Sequence, residues 1–290
     1  MQQKVVVIIV TYNGSKWLNK CLQSLAQSIL PVSVIAIDNA STDASVTILR
    51  QFPFVEVFQS ETNLGFGKAN NIGIHKALEQ NFDYYFLLNQ DTWIEPDTIQ
   101  NLVAIALPNE KFGIVSPMHF SPDETSLDAN FEMYWKRRIN SISENVDEVP
   151  FVNAAAWLLS RELIEKVGYF EPMFNHYGED RNYADRVHYH NFKIVVVKNS
   201  KIYHDRTITR SFQKDVKQSK FKMLAEALNV NHNFIIGLLK AFQNVIGLPK
   251  YFSKYYSSSK VFSMFWQLLG YYILLKLHFI TILKARKRYK

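Results

Sequence analysis

The sequence predicts an α/β protein: a doubly wound, mostly parallel sheet followed by a helical, basic, amphipathic extension. Two patterns predict the sheet. Short β-branched and aromatic runs alternate with segments of helical spacing, and each run stops at a polar, often acidic, turn. A charge shift predicts the extension. Residues 212–290 hold 14 Lys/Arg against 2 Asp/Glu, a net +12, whereas residues 1–211 hold 19 against 24, a net −5. A mildly acidic body, residues 1–211, therefore carries a basic tail, residues 212–290, suited to an anionic surface.

The first run, Val5-Val6-Val7-Ile8-Ile9-Val10, reads as a buried strand and is too short for a signal-peptide core, which implies cytoplasmic residence. Trp17, Leu18, Cys21, Leu22 and Leu25 follow at helical spacing. Cys21 is the only cysteine, so no intrachain disulfide forms, and its apolar neighbours assign it to core packing. Strands are expected at 32–37, 55–58 and 84–88, with helices at 46–49, 68–78 and from Pro96 to Ala106. Beyond Pro117 the pattern loosens, and 121–148 reads as a long functional loop. Regularity returns with 152–159, a helix over 161–167, a helix carrying Tyr183 and Val187, a strand at 193–197 and a short last strand ending at His204.

Three acids follow strands or loops of this sheet: Asp38, Asp91 and Asp180. Ligands of open α/β sheets sit at the carboxyl edge of the strands. Carboxylates converging there suit a nucleotide diphosphate with a divalent cation, although each also suits a helix N-terminus. Other chemistries lack an anchor. There is no P-loop, no H-E-x-x-H and no G-x-S-x-G, and Gly65-Phe66-Gly67 continues to Asn70 where a dinucleotide fingerprint needs glycine. The tail's charge comes without a nucleic-acid recognition motif, so nucleic acid is excluded as a partner.

An ordered set of motifs runs from residue 4 to about 210. It comprises Val10-Thr11-Tyr12-Asn13, Asp38-Asn39-Ala40-Ser41-Thr42-Asp43, Asn63-Leu64-Gly65-Phe66-Gly67 with Asn70-Asn71-Ile72-Gly73, and Leu88-Asn89-Gln90-Asp91. It continues with Val167-Gly168-Tyr169-Phe170, Gly178-Glu179-Asp180 with Arg186, and His204. On these residues the chain resembles the family 2 inverting glycosyltransferases of GT-A fold, in particular the bacterial rhamnosyltransferase-like branch that builds surface polysaccharides.

The resemblance implies roles. Thr11, Tyr12 and Asn13 would lie against the nucleotide, Asp38 would accept the pyrimidine ring N–H, and Asn63, Gly65 and Phe66 would contact ribose and base above Asn71. Asn89 and Gln90 would flank the nucleotide, and Asp91 with His204 would hold Mg²⁺ or Mn²⁺. Asn89 stands where the family most often has a first acid, which removes one charge from the metal site. Asp180 would be the general base, with Glu179 beside it; Trp157, Tyr177 and Arg186 would face the acceptor, and Arg206 and Arg210 would cover the diphosphate. The implied donor is a UDP- or dTDP-sugar and the implied acceptor a lipid-linked glycan. The alternative is a silent sugar-nucleotide-binding protein or membrane scaffold. Within the tail, the aromatic and apolar stretch 261–283 ends in Lys284-Ala285-Arg286-Lys287-Arg288 and contains Lys276. It reads as a helix lying in the interface on the inner face of the cell membrane, or as a helical hairpin packed on the body or on a second copy of the chain.

Overall fold

A computed structural model describes residues 3–206 and 210–290. The first half is wound as the alternating pattern predicts: β1 (Val5–Thr11), α1 (Ser15–Ala26), β2 (Val32–Asp38), α2 (Ser45–Leu49), β3 (Val55–Gln59), α3 (Phe66–Leu78) and β4 (Tyr84–Asn89). These strands lie parallel in the order β3-β2-β1-β4. Alternate residues enter opposite cores. Val6 and Ile8 pack with Ala69 and Ile74 on one face, while Val5, Val7 and Ile9 pack with Leu18 and Leu22 on the other. Burial on both faces explains why β1 and β4 read as unbroken apolar runs, whereas β3, at the sheet edge, is only half-buried.

The second half departs from the parallel pattern. It contains β5 (Thr92–Ile94), α4 (Thr98–Ala106), β6 (Phe112–Phe120), α5 (Ala129–Trp135), β7 (Asn140–Ser143), β8 (Val146–Glu148), β9 (Ala156–Ser160), α6 (Arg161–Val167), α7 (Glu179–Tyr189) and β10 (Lys193–His204). The ten-stranded sheet continues from β4 through β9, β6, β10, β8 and β7, with β5 paired to the end of β10. β9 runs antiparallel between β4 and β6, with Tyr84 opposite Ser160 and Ile114 opposite Leu159. The two strands expected at 193–197 and before His204 are one, β10, bent where its register against β6 shifts between Val197 and Lys201.

Residues 121–148 are not a long irregular loop. α5 and the β7–β8 hairpin fill the segment, pinned by buried Asp147, which accepts from Trp135 Nε1 at 2.9 Å and Ser141 Oγ at 2.6 Å.

The tail is a helical unit with its own core: α8 (Phe212–Leu228), α9 (Phe234–Phe252), α10 (Ser258–Leu277) and α11 (Phe279–Arg288). The stretch 261–283 is not one helix. It breaks at His278, whose ring bonds the Leu274 carbonyl, and the two helices meet at a 69° bend. Among the described residues no single helix is long and apolar enough to cross a membrane, although the bent pair is by length and composition. Buried Arg286 closes the C-terminal end of α8, donating to the carbonyls of Ala227 (3.0 Å), Asn229 and His232. Asn229 in turn donates to Asp185 on α7 at 3.0 Å, tying tail to body.

Candidate active site

A cleft of about 530 Å³ opens at the carboxyl ends of β1, β2 and β4, lined by Val10, Tyr12, Asn39, Asn63, Gly65, Phe66, Asn89, Gln90, Asp91, Asn175, His176 and Lys217. Its size lies within the usual range for ligand sites. Amide side chains shape its wall. Asn39 donates from Nδ2 to Asn63 Oδ1 at 3.0 Å and accepts from the Leu64 N–H at 2.8 Å, so the strand-end loop and the glycine loop form one surface. Gly65 has φ +80°, and a Cβ there would meet the Asn175 carbonyl oxygen at 2.3 Å. Only glycine permits that approach.

Gln90 binds back to the loop after β1. Its Oε1 accepts from Thr11 Oγ1 at 2.5 Å and the Tyr12 N–H at 3.0 Å, and a side chain at Gly14 would collide with it. Thr11 is buried, and Asn13 (φ +48°) accepts from the Thr42 N–H at 2.9 Å. These two brace the loop, leaving half-exposed Tyr12 to face the cleft.

Asp38 is buried beside the wall residue Asn39. One carboxylate oxygen accepts from the Ser41 N–H at 3.2 Å, and the other, Oδ1, has no protein partner. An unpaired buried oxygen costs ~1–3 kcal/mol, which a donated ligand N–H would offset.

Asp91 and His204 meet as expected from opposite ends of the chain. His204 Nε2 lies 3.3 Å from Asp91 Oδ1, the Asp91 side chain is 21% exposed, and His204 is buried. Antiparallel β5 and β10 impose the meeting, with His204 opposite Thr92 and the Asp205 N–H donating to the Asp91 carbonyl at 2.8 Å. Among the described residues no group of three or more His, Cys, Asp or Glu side chains is poised to hold a metal. One carboxylate and one imidazole fit a divalent ion that takes its remaining ligands from a diphosphate and water.

Glu179 and Asp180 open α7, after Tyr177 (φ +76°) and Gly178 (φ +90°) turn the chain. The two acids differ. Glu179 is buried against Gly67 of α3, its Oε2 lacks a partner, and burial with the Asp180 charge pushes it up to about 7. Asp180 is only partly buried, and desolvation raises it while the N–H groups of Arg181 and Ala154 pull it down. It borders the same sheet edge: Ala155, next to Ala154, accepts the Asn89 N–H at 2.9 Å.

Several expected contacts are not there. Trp157 is fully buried on β9, stacked on Phe170 with 6.3 Å between centroids, and presents no surface to an acceptor. Arg186 is also fully buried, donating to the carbonyls of Val167 and Tyr169 at 2.7 Å each and stacking on Tyr289. Asn71 exchanges two 2.8 Å bonds with the Phe170 backbone, so it supports the site from beneath, and Phe66 packs edge-on to Phe170. Arg206 forks onto Asp128 and Arg210 pairs with Asp215, which occupies both guanidinium groups. Tyr177 stays near the cleft beside His176. Sequence reasoning missed Asn39, Asn175, His176 and Lys217. Asn39 sat in a quoted motif, whereas one lysine in a basic tail gives no signal.

Residues 6–168 match the family model of glycosyl transferase family 2. The N-acetylglucosaminyl-diphospho-decaprenol L-rhamnosyltransferase of Mycobacterium tuberculosis is 24% identical over 237 residues, 71% of this chain and 77% of that protein. Glycosyltransferase GlyA of Streptococcus pneumoniae is 28% identical over 106 residues, 35% of this chain but only 15% of GlyA. Among solved structures, Staphylococcus aureus TarS 1–349 superposes with a TM-score of 0.68 at 17% identity, covering 93% of this chain and 80% of that one. The mannosyltransferase PcManGT of Pyrobaculum calidifontis, solved with GDP-Man and Mn²⁺, gives 0.62 at 14% identity, covering 96% and 88%. The structures establish a shared GT-A fold, and the matched family model establishes more: this chain belongs to glycosyl transferase family 2 and is a glycosyltransferase.

Proposed function

We propose that the chain is an inverting transferase that moves a hexose or a rhamnose-like deoxyhexose from a UDP- or dTDP-sugar to a lipid-linked glycan in surface polysaccharide synthesis. The observation that carries this reading is the gathering at one sheet edge of Asp38 with its free oxygen, the Asp91–His204 pair and Asp180. The free Asp38 oxygen suits the ring N–H of uracil or thymine. Asp180 takes the proton of the acceptor hydroxyl as that oxygen attacks the anomeric carbon, and the bond to the diphosphate breaks on the opposite face. Desolvation raises the proton affinity of Asp180, and Glu179, packed against Gly67 of α3, stays out of the reaction. A divalent ion at Asp91 and His204, Mn²⁺ or Mg²⁺, would neutralise charge on the departing diphosphate. The Mycobacterium relative is named for a lipid-linked acceptor and for rhamnose, which supports both choices.

Seating on the inner membrane face belongs to the same reading. Ile235, Leu239, Phe242 and Ile246 are exposed at helical spacing on α9, and Phe262, Trp266, Ile273 and Leu277 on α10. With the tail's lysines they form an apolar face suited to an anionic bilayer surface, and a second copy of the chain is the competing occupant.

Thermal-shift measurements with UDP, dTDP, GDP and CDP, with and without Mn²⁺, test the donor. Stabilisation by UDP or dTDP is expected, and a response to GDP alone rejects the role of Asp38. Asp180→Asn keeps that response and loses ~10²–10⁴-fold in transfer rate. Turnover within threefold of wild type removes Asp180 as the base.

A further inference from the structure

We propose that Lys217, carried by α8 of the helical tail, is the cation that holds the donor diphosphate, so that the tail completes the donor site. The proposal rests on the nucleotide-sugar reading above.

The arginines nearest in sequence to the metal pair are already engaged. Arg206 donates from Nε to Asp128 Oδ2 at 2.9 Å, and Arg210 lies 3.3 Å from Asp215 and 4.0 Å from the Tyr255 ring. Among the described residues Lys217 is the single Lys or Arg lining the cleft that holds Asn89 and Asp91, and it makes no ion pair there. Its Nζ sits 5.8 Å from the Tyr177 ring and 5.9 Å from the Phe221 ring, an exposed ammonium on an apolar footing. The helix beneath is fixed. Phe221 packs on buried Phe174 at 6.0 Å, and Met223 and Leu224 lie in the tail's core. The position is electrostatically felt at the site, since the Lys217 charge acts on both His176 and Glu179.

Charge balance points to an anionic ligand. Among the described residues that line the cleft Asp91 is the one acid, with Asn89 where a second would stand and with Asp38 and Asp180 set back from the lining. A diphosphate with a divalent ion and one carboxylate retains negative charge, and one unpaired ammonium neutralises it. A lysine satisfies this role as a compact point charge with three donors.

Calorimetry on the purified full-length chain with Mn²⁺ tests the assignment, using UDP and uridine as probes. Lys217→Ala is expected to weaken UDP binding ~10–100-fold with uridine affinity and melting temperature unchanged, and Lys217→Arg to restore most of the loss. Lys222→Ala removes an exposed charge from the same helix outside the cleft and is expected to leave UDP binding intact. UDP affinity within twofold of wild type in Lys217→Ala overturns the proposal and leaves the nucleotide reading standing. So does an equal loss in Lys222→Ala. A wild-type chain that binds neither UDP nor dTDP overturns both.

Discussion

Replacing Arg186 by methionine separates a structural from an acceptor-binding arginine. The side chain is fully buried, and its two donated bonds of 2.7 Å hold the carbonyls of Val167 and Tyr169. Methionine fills much of the volume and leaves both carbonyls unsatisfied, at ~1–3 kcal/mol each. The stack on Tyr289, 3.9 Å from the guanidinium carbon, is worth about 0.5–2 kcal/mol more. Against this stands the cost of burying a charge: desolvation lowers the Arg186 pKa, and no carboxylate lies within ion-pair distance among the described residues. The bonds outweigh that cost by ~2–4 kcal/mol if the guanidinium is there to shape the 167–170 turn. At about 2–4 °C per kcal/mol, the melting temperature falls by ~4–16 °C. Scanning calorimetry with donor and acceptor kinetics reads the outcome. An unchanged or higher melting temperature refutes the reasoning, and a raised acceptor KM at unchanged stability returns Arg186 to the acceptor side.

Glu179→Gln tests a pH dependence. In the folded chain Glu179 keeps its proton up to about 7, against 4.5 when unperturbed, so between those values the folded state binds more protons and stability falls as pH rises. The glutamine variant removes ~3 kcal/mol of that fall, and an identical melting profile from pH 4.5 to 8 contradicts it. Gly65→Ala forces a Cβ against the Asn175 carbonyl at φ +80°, lowering stability by ~1–3 kcal/mol and weakening UDP binding; equal affinity at equal stability rules out the close approach. Co-sedimentation with phosphatidylglycerol vesicles is expected for the full chain, weakened by salt and abolished by replacing Leu239, Phe242 and Ile246 with Gln. A chain that stays in the supernatant and elutes as a dimer supports the second-copy occupant instead.

The first half of the fold was legible because β1, β2 and β4 are largely buried and end at polar turns, so Asp38 and Asp91 could be placed at an edge from spacing alone. The second half was not, because an apolar run carries no arrow. Ala156-Trp157-Leu158-Leu159 reads the same in either direction, and only its pairing with Tyr84–Leu88 makes β9 antiparallel. The same limit misplaced Trp157 and Arg186. An aromatic and an arginine amid motif residues look like recognition groups, and burial is a property of neighbours distant in sequence. The hairpin within 121–148 hangs on Asp147, whose partners Trp135 and Ser141 carry no strand pattern of their own. Lys217 was hidden for a different reason: the tail is basic along its whole length, and the packing of α8 selects one lysine from many.

Hydrogen-bonded neighbours β6 and β9 have a bearing on how such enzymes diversify. The segment 121–155 leaves the sheet at one of them and rejoins it at the other, as a cassette plugged between fixed sockets. Elsewhere it is held by the short β8 pairing to β10, by the Arg206 fork onto Asp128, and by Phe131, Val149, Phe151 and Val152, which share a core with Val6, Ile8, Tyr85 and Leu87 of β1 and β4. A graft there must therefore bring its own core side chains, or the strands beneath the cleft lose the packing that holds them.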